Sequence, residues 1–339
     1  MKKLLFLFIF SACNMVCFSQ HITAGDRSFL KEKEDSLKIF SRTIINGTTA
    51  AARFTADSSF TKMFVRALKT ANSFYYPFDS LESISKLYAP DSSFRIYTWQ
   101  MVVNENLVRQ HGAIQMRTYD GTLKLYPLID KSDVTIGITD TVGNNKGWIG
   151  AVYYKIIQTR SSNQNYYTLL GYDENNIRSN RKIIEVLSFT NDEPTFGGRW
   201  FSFEKDKVFK SSQSRYIMEY KKDAGPRLVF DPELETIVFE HLESETNEPK
   251  KKWTYIPDGD YEGFKWENGK WIHIEKLFDQ VTELGKEPVP NPVKDASGNT
   301  IEEKLKDNLS GDNGQTEKMP AEKKEKKNIK TAKPKKKNN

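Results

Sequence analysis

From Phe94 to about Phe278 the chain breaks into short runs of β-branched and aromatic residues separated by Gly, Asn or Asp, and this rhythm constrains the fold more than any other feature. Runs at 94–103, 107–118, 122–128, 148–160, 165–173, 181–189, 199–204, 213–221, 226–230, 235–242, 252–256, 262–267 and 270–275 read as strands. Strands that succeed one another without helices pair antiparallel, because a parallel pair needs a long crossover. The expectation is a large antiparallel β meander, closed as a barrel, a sandwich or a small propeller. No fixed-period repeat singles out the propeller.

Residues 27–90 carry a helical period. Ser28-Phe29-Leu30 leads into a charged stretch with Leu37, Ile39, Phe40, Ile44 and Ile45. Asp57-Ser58-Ser59 reads as a polar cap ahead of Phe60, Met63, Phe64, Ala67 and Leu68, whose spacing makes one apolar stripe. Tyr75-Tyr76-Pro77 breaks that pattern, and Asp79 to Tyr88 reads as a third, shorter helix ending before Pro90. The expected fold is α+β, with N-terminal helices (21–90) packed on a large antiparallel β meander (91–280), barrel- or sandwich-like, in a single domain.

Two turns can be read residue by residue. Asn268-Gly269 is a type I′ signal that sets Glu267 opposite Lys270 and Trp266 opposite Trp271, the second pair being the closer, non-hydrogen-bonded kind. Asp120-Gly121 suggests a similar turn between Tyr119 and Thr122.

The ends speak of export. Lys2-Lys3, the apolar run Leu4 to Phe10 and a small-residue exit are the parts of a secretory signal peptide, and the run is too short to span a bilayer. A conventional cut near Ser19-Gln20 is expected, giving a periplasmic or secreted protein; the alternative is a lipid anchor at Cys13. Cys13 and Cys17 are the only cysteines, so conventional cleavage removes disulfides, thiolate metal sites and cysteine nucleophiles together. From Lys318 onward ten lysines face only Glu322 and Glu325, which exceeds the whole chain's net charge of +6, so the rest is mildly acidic. Residues 281–339, poor in apolar side chains, read as a disordered Lys-rich tail. Lysines without interleaved aromatics offer charge but no base stacking, so 318–339 suits an anionic surface and not a specific nucleic acid.

Few constellations carry chemistry. Asp258, Asp260 and Glu262 match positions 1, 3 and 5 of a calcium loop with Gly263 at 6, but position 12 is Gly269 and the flanks are strands, so the calcium reading competes with an ordinary turn. Trp253, Tyr255, Tyr261, Trp266 and Trp271, with Phe264, crowd the same stretch. Facing solvent they would make a stacking platform for a sugar or peptide; facing inward they are a packed β face. Ser83-Ile84-Ser85-Lys86 and Ser202-Phe203-Glu204-Lys205 fit S-x-x-K without the partner motifs. His21, His111, His241 and His273 show no metal-ligand spacing, and Glu240, Glu243 and Glu245 form a cluster in which a glycosidase pair could hide.

Asp35-Ser36-Leu37, Asp79-Ser80-Leu81 and Asp140-Thr141-Val142 resemble the acceptor sequence that Bacteroidota use to O-glycosylate exported proteins, which implies Ser36, Ser80 and Thr141 as sites. With DSSFRIYTWQ (91–100), LGYDENNIRSNRKIIEVLSF (170–189) and WTYIPDGDYEGFKWENGKW (253–271), the chain resembles an uncharacterised family of secreted proteins from that phylum. The resemblance implies export and a single domain and brings no activity with it. The expected function is a non-enzymatic envelope module for a glycan, peptide or partner protein. Alternatives are a hydrolase with a carboxylate site and a structural part of an envelope assembly.

Overall fold

Thr23 sets where regular structure begins: its hydroxyl oxygen accepts from the Asp26 N–H and opens α1 (Ala24–Asn46). Thr49 opens α2 (Ala50–Leu68) in the same way through the Ala52 N–H. The computed structural model describes residues 22–208 and 210–278. The expected signal peptide, the Cys13 alternative and the expected tail at 281–339 lie outside the described residues. Neither helix is long and apolar enough to cross a membrane.

α2 starts well ahead of the expected cap at Asp57. That residue sits inside the helix, 8% exposed, and accepts the indole N–H of Trp99 at 2.8 Å. A buried donor thus overrides the preference of Asp for helix ends.

The third helix expected at 79–88 does not form. A 3-10 turn (Ser73–Tyr75) is followed by turns and by β1 (Ser85–Tyr88), which pairs with β2 (Phe94–Asn104). Residues 85–88 are taken up instead by pairing with β2, and just ahead of the run the fully buried Arg95 donates its guanidinium to the carbonyls of Phe74, Tyr76 and Pro77 and lies over the rings of Tyr88 and Tyr97.

β2 continues into β3 (Leu107–Met116) and β4 (Lys124–Ile129) in a four-stranded sheet ordered β1-β2-β3-β4. A second sheet holds β5 (Gly143–Asn144), β6 (Val152–Ser161), β7 (Gln164–Asp173), β8 (Ser179–Thr190) and β9 (Glu193–Phe196), ordered β5-β9-β8-β7-β6. After the short β10 (Phe201–Ser202), β11 (Arg215–Lys221) returns to pair with β8. The third sheet adds β12 (Leu228–Asp231), β13 (Thr236–Ser244), β14 (Tyr255–Glu267) and β15 (Lys270–Ile274), ordered β10-β15-β14-β13-β12. Strand pairs are antiparallel except β10 with β15.

The fold class is therefore α+β and sandwich-like, as expected, with adjustments. The runs at 252–256 and 262–267 belong to one strand, β14, preceded by a 3-10 turn at Lys252–Thr254. The Asn268-Gly269 turn forms, with φ of 50° and 79°, and its pairs are Glu267 with Lys270 and Trp266 with Trp271. Those indoles meet edge to face at 5.3 Å. Asp120-Gly121 does not make a tight hairpin: Met116 opposite Lys124 closes a longer loop, because the Gly121 carbonyl accepts the Asn72 N–H at 2.9 Å.

Alternating side chains stack these elements in layers. Tyr97, Trp99 and Met101 of β2 pack under Leu37, Phe60 and Phe64 of the helices. Phe94 and Ile96, on the opposite face, meet Tyr153, Leu169 and Ile183 of the second sheet. Leu170, Ile184 and Val186 then meet Phe201, Phe239, Phe264 and Trp271 of the third. Helices and three sheets thus enclose three cores in series.

Candidate functional site

Two cavities adjoin along β11, and local turns build both. In the β7–β8 connection the Asn176 side-chain oxygen accepts from the backbone N–H groups of Arg178 (2.8 Å) and Ser179 (3.1 Å), which leaves the Arg178 side chain exposed. On β11, Glu219 accepts from the Ser179 hydroxyl at 2.7 Å and from Arg181 at 3.1 Å. The 3-10 turn at Lys252–Thr254 is tied at Thr254, whose N–H donates to the Lys251 carbonyl and whose own carbonyl accepts from the Glu245 N–H. This turn presents Trp253, 37% exposed.

The first cavity, about 370 Å³, is lined by Asn106, Asn176, Arg178, Ser179, Glu219 and Trp253. The second, about 430 Å³, is lined by Arg181, Lys210, Tyr216, Glu219, Glu240, His241, Lys252, Tyr255 and Glu262 among others. Glu219 borders both, and the two adjoining cavities, with Trp253 in the turn and Tyr255 just after it, make up the candidate groove.

A chain of carboxylates and imidazoles runs inward from the second cavity. A register shift between Glu240 and Leu242 lets His241 reach two residues of β14. Its Nδ1 lies 2.6 Å from Asp258, and its Nε2 is 3.6 Å from Glu262. The other Glu262 oxygen meets His273 Nε2 at 3.0 Å, and His273 Nδ1 meets Asp206 at 2.9 Å. Burial pulls the His273 pKa down, but its hydrogen bonds to Glu262 and Asp206 outweigh burial and hold it above the usual histidine value. Burial pushes Asp258 up, yet the Asp260 N–H and His241 bring its pKa below the usual carboxylate value.

The chain matches no protein-family model, no curated protein and no solved structure. Its site is read from its own groups.

Of the five aromatic residues singled out in the sequence, Trp253 and Tyr255 line the groove. Trp266 and Trp271 sit at the opposite end of β14, where Trp271 is 1% exposed and donates its indole N–H to Thr168 at 2.8 Å. Tyr261 packs on Phe278, so no five-membered platform forms. Asp258, Asp260 and Glu262 do not converge either: His241 holds the first and faces the third, while the exposed Asp260 gives its backbone N–H to Asp258. Among the described residues no group of three or more His, Cys, Asp or Glu is arranged to hold a metal ion.

Ser36 lies within α1, Ser80 gives its N–H to Glu34, and Thr141 bonds the Gly137 carbonyl. Lys86, whose pKa burial lowers, donates to the Leu81 carbonyl, and the strand at 85–88 offers no helical turn to bring it over Ser83. Ser202 is buried, with Lys205 paired to Glu267. Glu245 pairs with Lys221 and Glu240 accepts from the Arg227 N–H, so these acids serve separate partners. Sequence reasoning missed Arg178, Arg181 and Glu219. No local pattern marks them, because the β8–β11 pairing that unites them joins segments remote in sequence.

Proposed function

We propose that this chain is an exported, non-enzymatic module of the envelope that binds a glycan in the groove along β11. The carrying observation is Trp253, an exposed indole on a tied turn beside a cavity lined by amide, hydroxyl and carboxylate side chains. A flat apolar ring with such hydrogen-bonding neighbours is what a pyranose needs, since its faces are apolar and its rim is hydroxylated. Fixing the ring before binding lowers the ordering cost. An oligosaccharide array tests the reading: glycan binding that Trp253→Ala abolishes while leaving the melting curve unchanged supports it, and binding indifferent to that substitution rejects it.

A hydrolase is the second reading, favoured by one observation: His241, lining the groove, is oriented by Asp258 and faces Glu262. Sugar release from a bound oligosaccharide that Glu262→Gln stops would establish it. Export rests on the N-terminal pattern of Lys2-Lys3 and Leu4 to Phe10. An intact mass starting near Gln20, in a periplasmic or secreted fraction, supports it, whereas a lipid-modified Cys13 in the membrane fraction replaces it with an anchored form.

A further inference from the structure

We infer that the groove takes an acidic glycan, a polysaccharide whose rings carry carboxylates as uronates do; this rests on the glycan-binding reading above. The observation is a pair of cations without carboxylate partners beside the turn that presents Trp253. Most cations around it have carboxylate partners: Arg181 with Glu219 at 3.1 Å, Lys222 with Glu174 at 3.2 Å, Lys221 with Glu245 at 2.9 Å and Lys251 with Glu248 at 2.6 Å. Arg178 and Lys252, both exposed, have no carboxylate within ion-pair distance among the described residues. Each instead rests on an aromatic ring, Arg178 at 5.5 Å from the Trp253 centroid and Lys252 at 4.0 Å from that of Tyr255.

Trp253 lies in this turn and Tyr255 follows it, so these two cations stand beside the two aromatic surfaces of the groove. A guanidinium held near an indole still offers its planar N–H fork to a bidentate carboxylate. The remaining lining restricts the anion. Glu219, which borders both cavities, would repel a densely charged phosphate chain or polyacid but accepts a sugar hydroxyl. One carboxylate per ring surrounded by hydroxyls suits two separated cations, two amides and the acceptor carboxylates of Glu219, Glu240 and Glu262.

The probes are a short oligogalacturonate, its methyl ester, which keeps the sugar and removes the charge, and poly-glutamate of matched charge. Each is titrated calorimetrically into the full chain, lysine tail included. Binding of the oligogalacturonate is expected to weaken about tenfold on esterification and about tenfold again for each of Arg178→Gln and Lys252→Gln. Equal binding of the methyl ester overturns the charge assignment and leaves the glycan reading standing. Equal binding of poly-glutamate, or affinity untouched in the Arg178→Gln/Lys252→Gln double variant, assigns the anion to non-specific attraction by the tail and overturns the proposal. Failure of all three probes overturns it too, and the neutral sugars of the array then decide the glycan reading separately.

Discussion

Glu262 and His273 share a hydrogen bond of 3.0 Å inside a ring of Phe203, Tyr216, Phe239 and Phe264, with Asp206 on the other imidazole nitrogen. Both ring nitrogens face carboxylates, an arrangement that favours the imidazolium, in which both donate. Because the folded-state pKa lies above the unfolded value, this group's stabilisation is complete below about pH 6.5 and is lost as pH rises through the folded pKa. Urea unfolding against pH is expected to show that alkaline loss, and an NMR titration of His273 should give a midpoint above the ordinary one. His273→Phe leaves Asp206, whose side chain is fully buried, without that donor and is expected to cost about 3 kcal/mol at pH 6.

Arg215 and Glu185 are fully buried, with Arg215 Nε donating to Glu185 at 2.8 Å and Tyr153 donating to the other oxygen. Burial, then the Glu185 charge, pushes the Tyr153 phenol well above its usual pKa, which keeps it a donor. Arg215→Met strands a buried carboxylate and is expected to lower unfolding free energy by about 3–5 kcal/mol. Adding Glu185→Leu should recover much of that loss, because the stranded charge goes with it. Chemical denaturation of the single and double variants checks the pair.

Asp57→Ala removes the acceptor of the Trp99 indole and is expected to cost about 1–3 kcal/mol, with Asp57→Asn retaining most of the stability through its carbonyl oxygen. His111 lies 3.6 Å from the same carboxylate and stacks on Trp99. Burial is the main cause of its lowered pKa, so its contribution is present above about pH 6.5 and is lost as pH falls, opposite to His273. Thermal melts of His111→Gln and His273→Phe across that range would separate the two histidines.

What the sequence made legible was local. The Asn268-Gly269 hairpin and its facing indoles follow from turn chemistry alone, and most strands follow from alternation. Asp57 misled because an isolated sequence cannot reveal that Trp99, from another element, waits to donate to it. The run at 79–88 misled because its second half pairs with β2, a strand encoded after it. The groove was half visible: Trp253 and Tyr255 announce themselves by type, while Arg178 and Glu219 become neighbours only through strand pairing.

Gly269→Ala tests the hairpin. The position has φ of 79°, and an added Cβ would come within 2.6 Å of the Ser161 hydroxyl on the β6–β7 turn. A loss of about 1 kcal/mol or more is expected, read from the urea midpoint at unchanged m-value.

Among the described residues the layers succeed one another in the order of the chain: helices to residue 68, then sheets spanning 85–129, 143–221 and 228–274, with only Phe201 and Ser202 joining a later neighbour. A nascent chain can therefore grow by accretion, each sheet condensing on the apolar face laid down just before it. The loop-closure entropy is met in small instalments, and no layer must wait for a partner encoded at the far end of the message.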